Sequence, residues 1–416
     1  MKRASGGTAN VTPTRGEQML ALRRARMAAA PPFLRGGFRP FFFGGALWAA
    51  VAILLWMANL SWQLPLPSAF APLSWHRHEM LFGFVGAILA GYLLTSVANW
   101  TGWLPVAGAE LLLLFLLWAL GRAAMLASGW IGWLPAAIVD VGFYLVLGLA
   151  IAREVFAARR RDYSMLGPLL LLALANAVDH AEAAGLLPAE DRGIRAGLAL
   201  VVLFISLVGG KLVPSFTRNW LAKQQVRAGL PGQPGRYDRA AILATVLALA
   251  AWVAFPAAWP TAWLLLLAGV AQLVRLGRWR GWRVWREPGV LILHIGYLWI
   301  PLGLLLLGAA LAFAWPPSTL AIHALAAGGM ATMILAVMTR TALSQTGRPW
   351  PPARYTTPVY LLVSLGALLR LAAALWPGQL PGLLPLAALF WGGAFLWFVF
   401  GYRRIFFASR ADDPDG

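Results

Sequence analysis

The chain has five histidines and no cysteine. His76, His78, His180, His294 and His323 all fall within or at the ends of apolar runs, and none lies in a polar loop or tail. An ionisable side chain is costly inside a membrane, and imidazole is the commonest metal ligand. One lone buried histidine is read most simply as a hydrogen-bonded structural group. Five of them confined to apolar segments point instead to ligands for a metal or cofactor. The lack of cysteine excludes disulfides, iron–sulfur clusters and thiolate chemistry.

The most distinctive string is Trp75–His76–Arg77–His78–Glu79–Met80. On a helix, residues two apart point to nearly opposite faces, so two imidazoles on regular helix would serve two different centres. If the helix began only at Glu79, both could chelate one metal, with Glu79 or Met80 as supporting groups. Asp179 and Glu182 flank His180 and are placed to orient its imidazole. Asp140, alone near the middle of an apolar run, demands a buried partner. Arg77, Arg192, Arg195 and Arg370 can pair with carboxylates of a bound cofactor or snorkel to lipid headgroups.

The elements that must position these groups are membrane helices. Of the 416 residues, 60% are hydrophobic and 12% charged, against about 25% charged in soluble domains. The mean hydropathy is +0.70. A span needs about 20 apolar residues, and twelve segments qualify: 39–60, 75–98, 105–124, 130–151, 163–187, 195–214, 239–257, 259–276, 289–313, 318–338, 355–376 and 380–402. The expected fold is therefore an all-α polytopic membrane protein of twelve transmembrane helices with both termini cytoplasmic. Residues 1–38 form a basic cytoplasmic tail, 39–404 the transmembrane domain and 405–416 a short cytoplasmic tail. With that topology, 28 of the 34 Lys and Arg residues fall on one side, as the positive-inside rule requires. The net charge of +19 is thus a topology signal. It is not the folded basic face of a nucleic-acid module, and no nucleic-acid partner is expected.

The same topology sets depth. His76, His78, His180 and His323 fall in the outer parts of their helices, whereas His294 lies about six residues from the inner end of its span, on the order of 9 Å from the edge. Four histidines can share one level and His294 is the least suited to join them. An internal repeat accompanies them: His78 is followed by Gly83 and Thr101–Gly102, and His323, at the same offsets, by Gly328 and Thr346–Gly347.

The strings RGGFRPFFFGGALW at 35–48, WHRHEMLFGFVGAILAGYLLTSVANWTG at 75–102, GGKLVPSFTRNWL at 209–221 and HALAAGGMATMILAVMTRTALSQTGRP at 323–349 resemble the NnrS family of bacterial haem- and copper-containing membrane proteins. The resemblance spans nearly the whole chain and departs at Gln345, where the family often has His. It implies an inner-membrane protein of the nitric oxide response carrying haem b and copper, with membrane lipid and nitric oxide as partners. Five histidines cannot supply the six of a full oxidase-type site with a second haem. One haem with a three-histidine copper needs four; a bis-histidine haem with a weaker copper site using Met80 or Glu79 is the other arrangement. The favoured assignment places haem b on His78 and His323, with Arg77 and Arg370 near its carboxylates, and copper or a second haem on His76 and His180. Action on nitric oxide would be reduction at an outer haem–copper site, or sensing and scavenging without turnover. A twelve-span secondary transporter is the alternative class, although Asn99–Pro105 lacks the Asp-Arg-rich loop of the major facilitators. The sequence names no electron donor.

Overall fold

The computed structural model describes residues 15–158, 166–349 and 353–411. The first 14 residues, 159–165 in the fourth loop, 350–352 and the last five residues of the C-terminal tail lie outside it. Every regular element among the described residues is helical. In chain order these are α1 (Arg15–Ala29), α2 (Phe38–Trp62), α3 (Pro72–Thr101), α4 (Ala109–Leu126), α5 (Trp133–Ala157), α6 (Leu166–Ala183), α7 (Arg192–Lys223), α8 (Arg236–Ala254), α9 (Trp259–Arg278), α10 (Pro288–Phe313), α11 (Ser318–Ser344), α12 (Ala353–Leu375) and α13 (Leu380–Phe407).

Eleven described helices are long and apolar enough to cross a membrane. The one of α2–α13 not among them is α6, which puts Asn176, Asp179, His180 and Glu182 on its last two turns. All four are buried, so its polarity is turned inward. Large apolar side chains such as Leu113, Leu149, Leu389 and Phe400 are exposed along the other helices, where lipid is the solvent that suits them. Trp62, Trp130, Trp259, Trp315 and Trp376 are exposed at or beside helix ends, as in an interfacial aromatic belt.

The last helix, α13, packs on the first of the bundle, α2. The buried Arg39 guanidinium fastens them by donating to the carbonyls of Phe406 (2.8 Å) and Ala408 (2.7 Å). Close crossings rest on small residues. Gly193 of α7 lies against the backbone of α6, where an added Cβ would come within 2.7 Å of the Ala175 carbonyl. The basic N-terminal tail contains α1, joined to the bundle by Arg23, which donates to both carboxylate oxygens of Glu154 at 2.6 and 3.1 Å.

The two helices that carry the repeated residues, α3 and α11, share a further feature. Each turns into a π-helix directly after its histidine, at Glu79–Phe84 and Ala324–Met330. Such widened turns loosen the helical ladder and concentrate at functional sites. Their carbonyls are met by side chains from neighbouring helices. Trp118 Nε1 donates to Gly83 (2.9 Å) and Tyr144 to Phe82 (2.6 Å), while Trp391 Nε1 donates to Ala327 (3.3 Å). Both helices end alike. Thr101 and Thr346 each return a hydroxyl to the carbonyl four residues back, and Gly102 and Gly347 take the left-handed conformation, at φ 71° and 65°. The spacing match in the sequence is thus a match of structural roles.

Candidate metal centre

His76 and His78 both lie on regular helix, Pro72–His78, and so face opposite ways. His78 points into a fully buried polar cluster built by α3, α4, α5 and α6. Its Nδ1 lies 2.7 Å from Asp179 Oδ2 and its Nε2 lies 2.9 Å from Asp140 Oδ2. His180 Nε2 reaches the same Asp140 oxygen at 3.3 Å, and Asn176 Nδ2 donates to it at 2.8 Å. Arg122 donates to the other Asp140 oxygen and, at 2.7 Å, to Glu79 Oε2, which also accepts from Trp48 Nε1 at 2.6 Å. Phe70 sets its ring edge-on to both imidazoles and Phe82 covers that of His78, so the polar atoms are sealed by apolar rings.

Proton and charge bookkeeping show what this cluster lacks. A neutral imidazole has one N–H, yet both nitrogens of His78 face carboxylates, which only accept when ionised. With neutral histidines, Glu79, Asp140 and Asp179 are opposed by Arg122 alone, leaving two negative charges in a site that is almost wholly buried. Uncompensated charge of that size is not tolerated in a low-dielectric interior. Protons on these groups, or a bound divalent cation, would supply what is missing. His78, Asp140 and His180 each offer one ligand atom, all within 4.8 Å of one another. Two imidazoles and a carboxylate suit a transition ion such as copper. Asp179, accepting from Nδ1 of His78, is the kind of outer partner that fixes a ligating tautomer. The cluster also retains buried polar atoms with no partner among the described residues: Glu79 Oε1, Asn176 Oδ1, His180 Nδ1 and Arg122 Nε.

A second arrangement forms on the opposite face of α3. His76 stacks on Trp56 with ring centroids 5.0 Å apart, and His76, His323 and Arg370 lie within electrostatic range of one another. The His323 Nδ1–H donates to the Thr319 carbonyl at 2.7 Å, which leaves Nε2 with a free lone pair. Buried donors cluster without partners here as well: Arg370 Nη1, and Trp299 Nε1, whose ring packs against Gly328. His76 Nδ1 is likewise buried and unpartnered.

His78 and His180 thus share one cluster, while His76, on the opposite face of the same helix, lies within electrostatic range of His323. Asp179 holds His78 rather than His180. Glu182 orients no imidazole; its carboxylate accepts the backbone N–H groups of Glu190, Arg192 and Gly193 at the start of α7. Glu79 enters the cluster through Arg122 and Trp48, and Met80 is buried. Arg77 pairs with Asp191 at 2.8 Å at the exposed edge. His294 stands apart, with its Nε2 2.8 Å from the Thr217 hydroxyl and its ring against Gly281.

Three residues of the centre carry more weight than their sequence context suggested. Arg122, two residues inside the end of the 105–124 segment, is buried on α4. Asp140 is the common acceptor, and Asn176 stands with Asp179 and His180 at offsets of three and four, on one helical face. That spacing, set beside a lone aspartate in an apolar run, was the available signal.

A model of the NnrS family (described as NnrS protein) matches residues 32–410. No curated protein shows significant similarity to the chain.

Proposed function

The chain belongs to the NnrS family, and from that premise we propose that it is an inner-membrane protein acting on nitric oxide, with two cofactor sites in the outer half of a twelve-helix bundle whose ends are both cytoplasmic. Family membership supports a membrane protein of the nitric oxide response. The observation that carries the cofactor reading is His78, held between two carboxylates beside His180.

In this reading His78, Asp140 and His180 hold copper, and His323 holds haem b with Arg370 facing its carboxylates and His76 alongside. Bound there, haem and copper would supply a binding position for nitric oxide and one-electron redox chemistry. The chain's own residues do the rest. Asp179 orients the His78 ring. Arg122 holds Asp140 through the oxygen that His78 and His180 do not use. Phe70 and Phe82 exclude water from the imidazoles, and the Thr319 carbonyl fixes the His323 tautomer so that Nε2 is free to ligate. The unpartnered donors of Arg370 and Trp299 suit an anionic group. α6 takes its place as the twelfth span by presenting its four polar residues inward and Leu170, Leu171 and Leu174 outward.

The test is an absorption spectrum and metal analysis of the protein purified in detergent from haem- and copper-replete cells. A Soret band responsive to dithionite and to nitric oxide is expected, with copper present. His323→Ala should remove the band and spare copper, while His78→Ala should remove copper and spare the band. A colourless, copper-free wild-type protein would sink the proposal.

A further inference from the structure

A cavity far from both histidine pairs opens beside Asp238 at the end of α8 and α9 where the loops 224–235 and 279–287 lie. It encloses about 690 Å³. Among its lining residues are Arg278, Trp279, Arg280, Trp282 and Gln233. The local sequence, Arg278–Trp279–Arg280–Gly281–Trp282–Arg283–Val284–Trp285–Arg286, alternates cationic and indole side chains. That composition suits the headgroup layer of a membrane, where indole sits at the interface and guanidinium meets phosphate.

We infer that this cavity binds the phosphate headgroup of an anionic phospholipid, with Arg278 and Arg280 as the recognising cations. Charge and solvation argue for it. Two other arginines near the cavity already have an internal use. Arg275 is bonded to Asp238 at 2.9 Å. Arg283 donates to the carbonyls of Ala228 and Gly229, at 3.2 and 2.9 Å. Arg278 instead lies over the face of Tyr237, 5.1 Å from its centroid, an arrangement that leaves its N–H edge free to donate. Arg280 is held in the left-handed region, at φ 58°, and its guanidinium packs against Gly229, where a Cβ would collide with it. The one lining carboxylate, Asp238, is occupied by Arg275 and by the Gly235 N–H at 2.9 Å. The cavity thus presents positive charge without a counter-ion of its own. Trp282 and Trp285 are exposed beside it, which places the opening at the depth of lipid phosphates. A lipid is favoured over a soluble phosphate because those indoles and the apolar helix flanks would meet acyl chain, which a soluble ligand lacks.

The experiment titrates the delipidated full chain in detergent with phosphatidylglycerol or phosphatidylcholine, reading bound lipid by native mass spectrometry and indole emission. Phosphatidylglycerol should bind at least about tenfold tighter, from roughly one strong electrostatic contact per arginine near an anionic headgroup. The double variant Arg278→Gln/Arg280→Gln should lose that preference. Arg403→Gln, which removes a charge on α13 outside the cavity, should keep it. Gly232 has open space around its Cβ position, so Gly232→Phe fills the cavity without touching charge and should also weaken binding about tenfold. It decides the matter if the double variant does not fold. No preference between the two lipids, or wild-type binding by Gly232→Phe, overturns the inference. Displacement of phosphatidylglycerol by equimolar inorganic phosphate or glycerol phosphate would overturn it in favour of a soluble ligand.

Discussion

Two of the guanidinium groups buried in this bundle, those of Arg122 and Arg275, have surroundings that differ in kind. Arg122 meets two carboxylates, Glu79 and Asp140, while a third, Asp179, and two imidazoles complete the cluster. Arg275 meets one carboxylate, Asp238, and donates to the Ser206 carbonyl (2.9 Å) and the Tyr297 hydroxyl (3.0 Å). The Tyr297 hydroxyl donates to Gln272 Oε1 at 2.7 Å, and Gln272 donates in turn to Thr245 at 2.8 Å. The second network is balanced in charge, and no atom of Arg275, Asp238, Tyr297, Gln272 or Thr245 is among the unpartnered ones. The first is short of two positive charges and keeps several unpaired atoms. A network that is complete rigidifies the fold. Of the two, the network that is incomplete in both charge and hydrogen bonds is the one suited to receive a cation.

The largest effects should come from the two aspartates. Asp140→Asn removes the shared ligand, so copper content should fall to background. Asp238→Asn breaks a balanced buried pair, so it should cost roughly 3–5 kcal/mol of stability and leave copper content at the wild-type level. Copper at a hundredfold excess over its dissociation constant should stabilise the wild type by about 2.7 kcal/mol, and should do nothing for Asp140→Asn. Metal analysis beside thermal unfolding in detergent reads both. If Asp238→Asn empties the copper site as well, the two networks are one, and the contrast fails.

A pair of glycines offers a gentler probe. A Cβ at Gly83 would collide with Glu79 Oε2 and Arg122, and one at Gly210 with the Arg275 guanidinium. Both substitutions to Ala overpack a buried guanidinium, with an expected cost of about 1–3 kcal/mol each. Gly83→Ala displaces Arg122 from Asp140 and should also weaken copper binding about tenfold; Gly210→Ala should lower only the unfolding temperature. Equal effects of the two on copper would show that Arg122 has no special tie to the metal.

Much of this architecture is legible in the chain. Apolar runs of about twenty residues mark the helices, because a bilayer leaves the backbone no other way to satisfy its hydrogen bonds. The opposed directions of His76 and His78 follow from helix geometry alone, and the Gly83 and Gly328 frames pointed to the two π-turned helices. What the sequence could not supply is azimuth. Depth placed four histidines at one level, but only the rotation of α3, α6 and α11 decides which faces which, and that rotation is set by packing between helices. For the same reason nothing in the chain shows that Arg122, two residues inside the end of the 105–124 segment, is turned inward and buried. The segment 163–187 is legible from the leucines at its start, while for its polar end only the offsets among Asn176, Asp179 and His180 point to one shared face.

The smallest expected difference lies between two matched amides, and it sharpens the comparison most. Asn176 donates to Asp140 and Gln272 to Thr245, both at 2.8 Å, and both side chains are wholly buried. Gln272 Oε1 accepts from Tyr297, whereas Asn176 Oδ1 has no partner among the described residues. Gln272→Leu leaves the Tyr297 hydroxyl without its acceptor, at a cost of about 1–3 kcal/mol. Asn176→Leu is close to isosteric and removes one donor from an oxygen that His78 and His180 still reach, so its cost should be nearer 1 kcal/mol. On copper the order should invert. Asn176 is an outer partner of the Asp140 ligand, and loss of such a partner typically weakens metal binding by about ten- to a hundredfold, while Gln272 has no metal ligand to orient. Measured together, unfolding temperature and copper affinity should therefore rank these two variants in opposite orders. If they rank them alike, the difference between a finished network and a waiting one has no functional content.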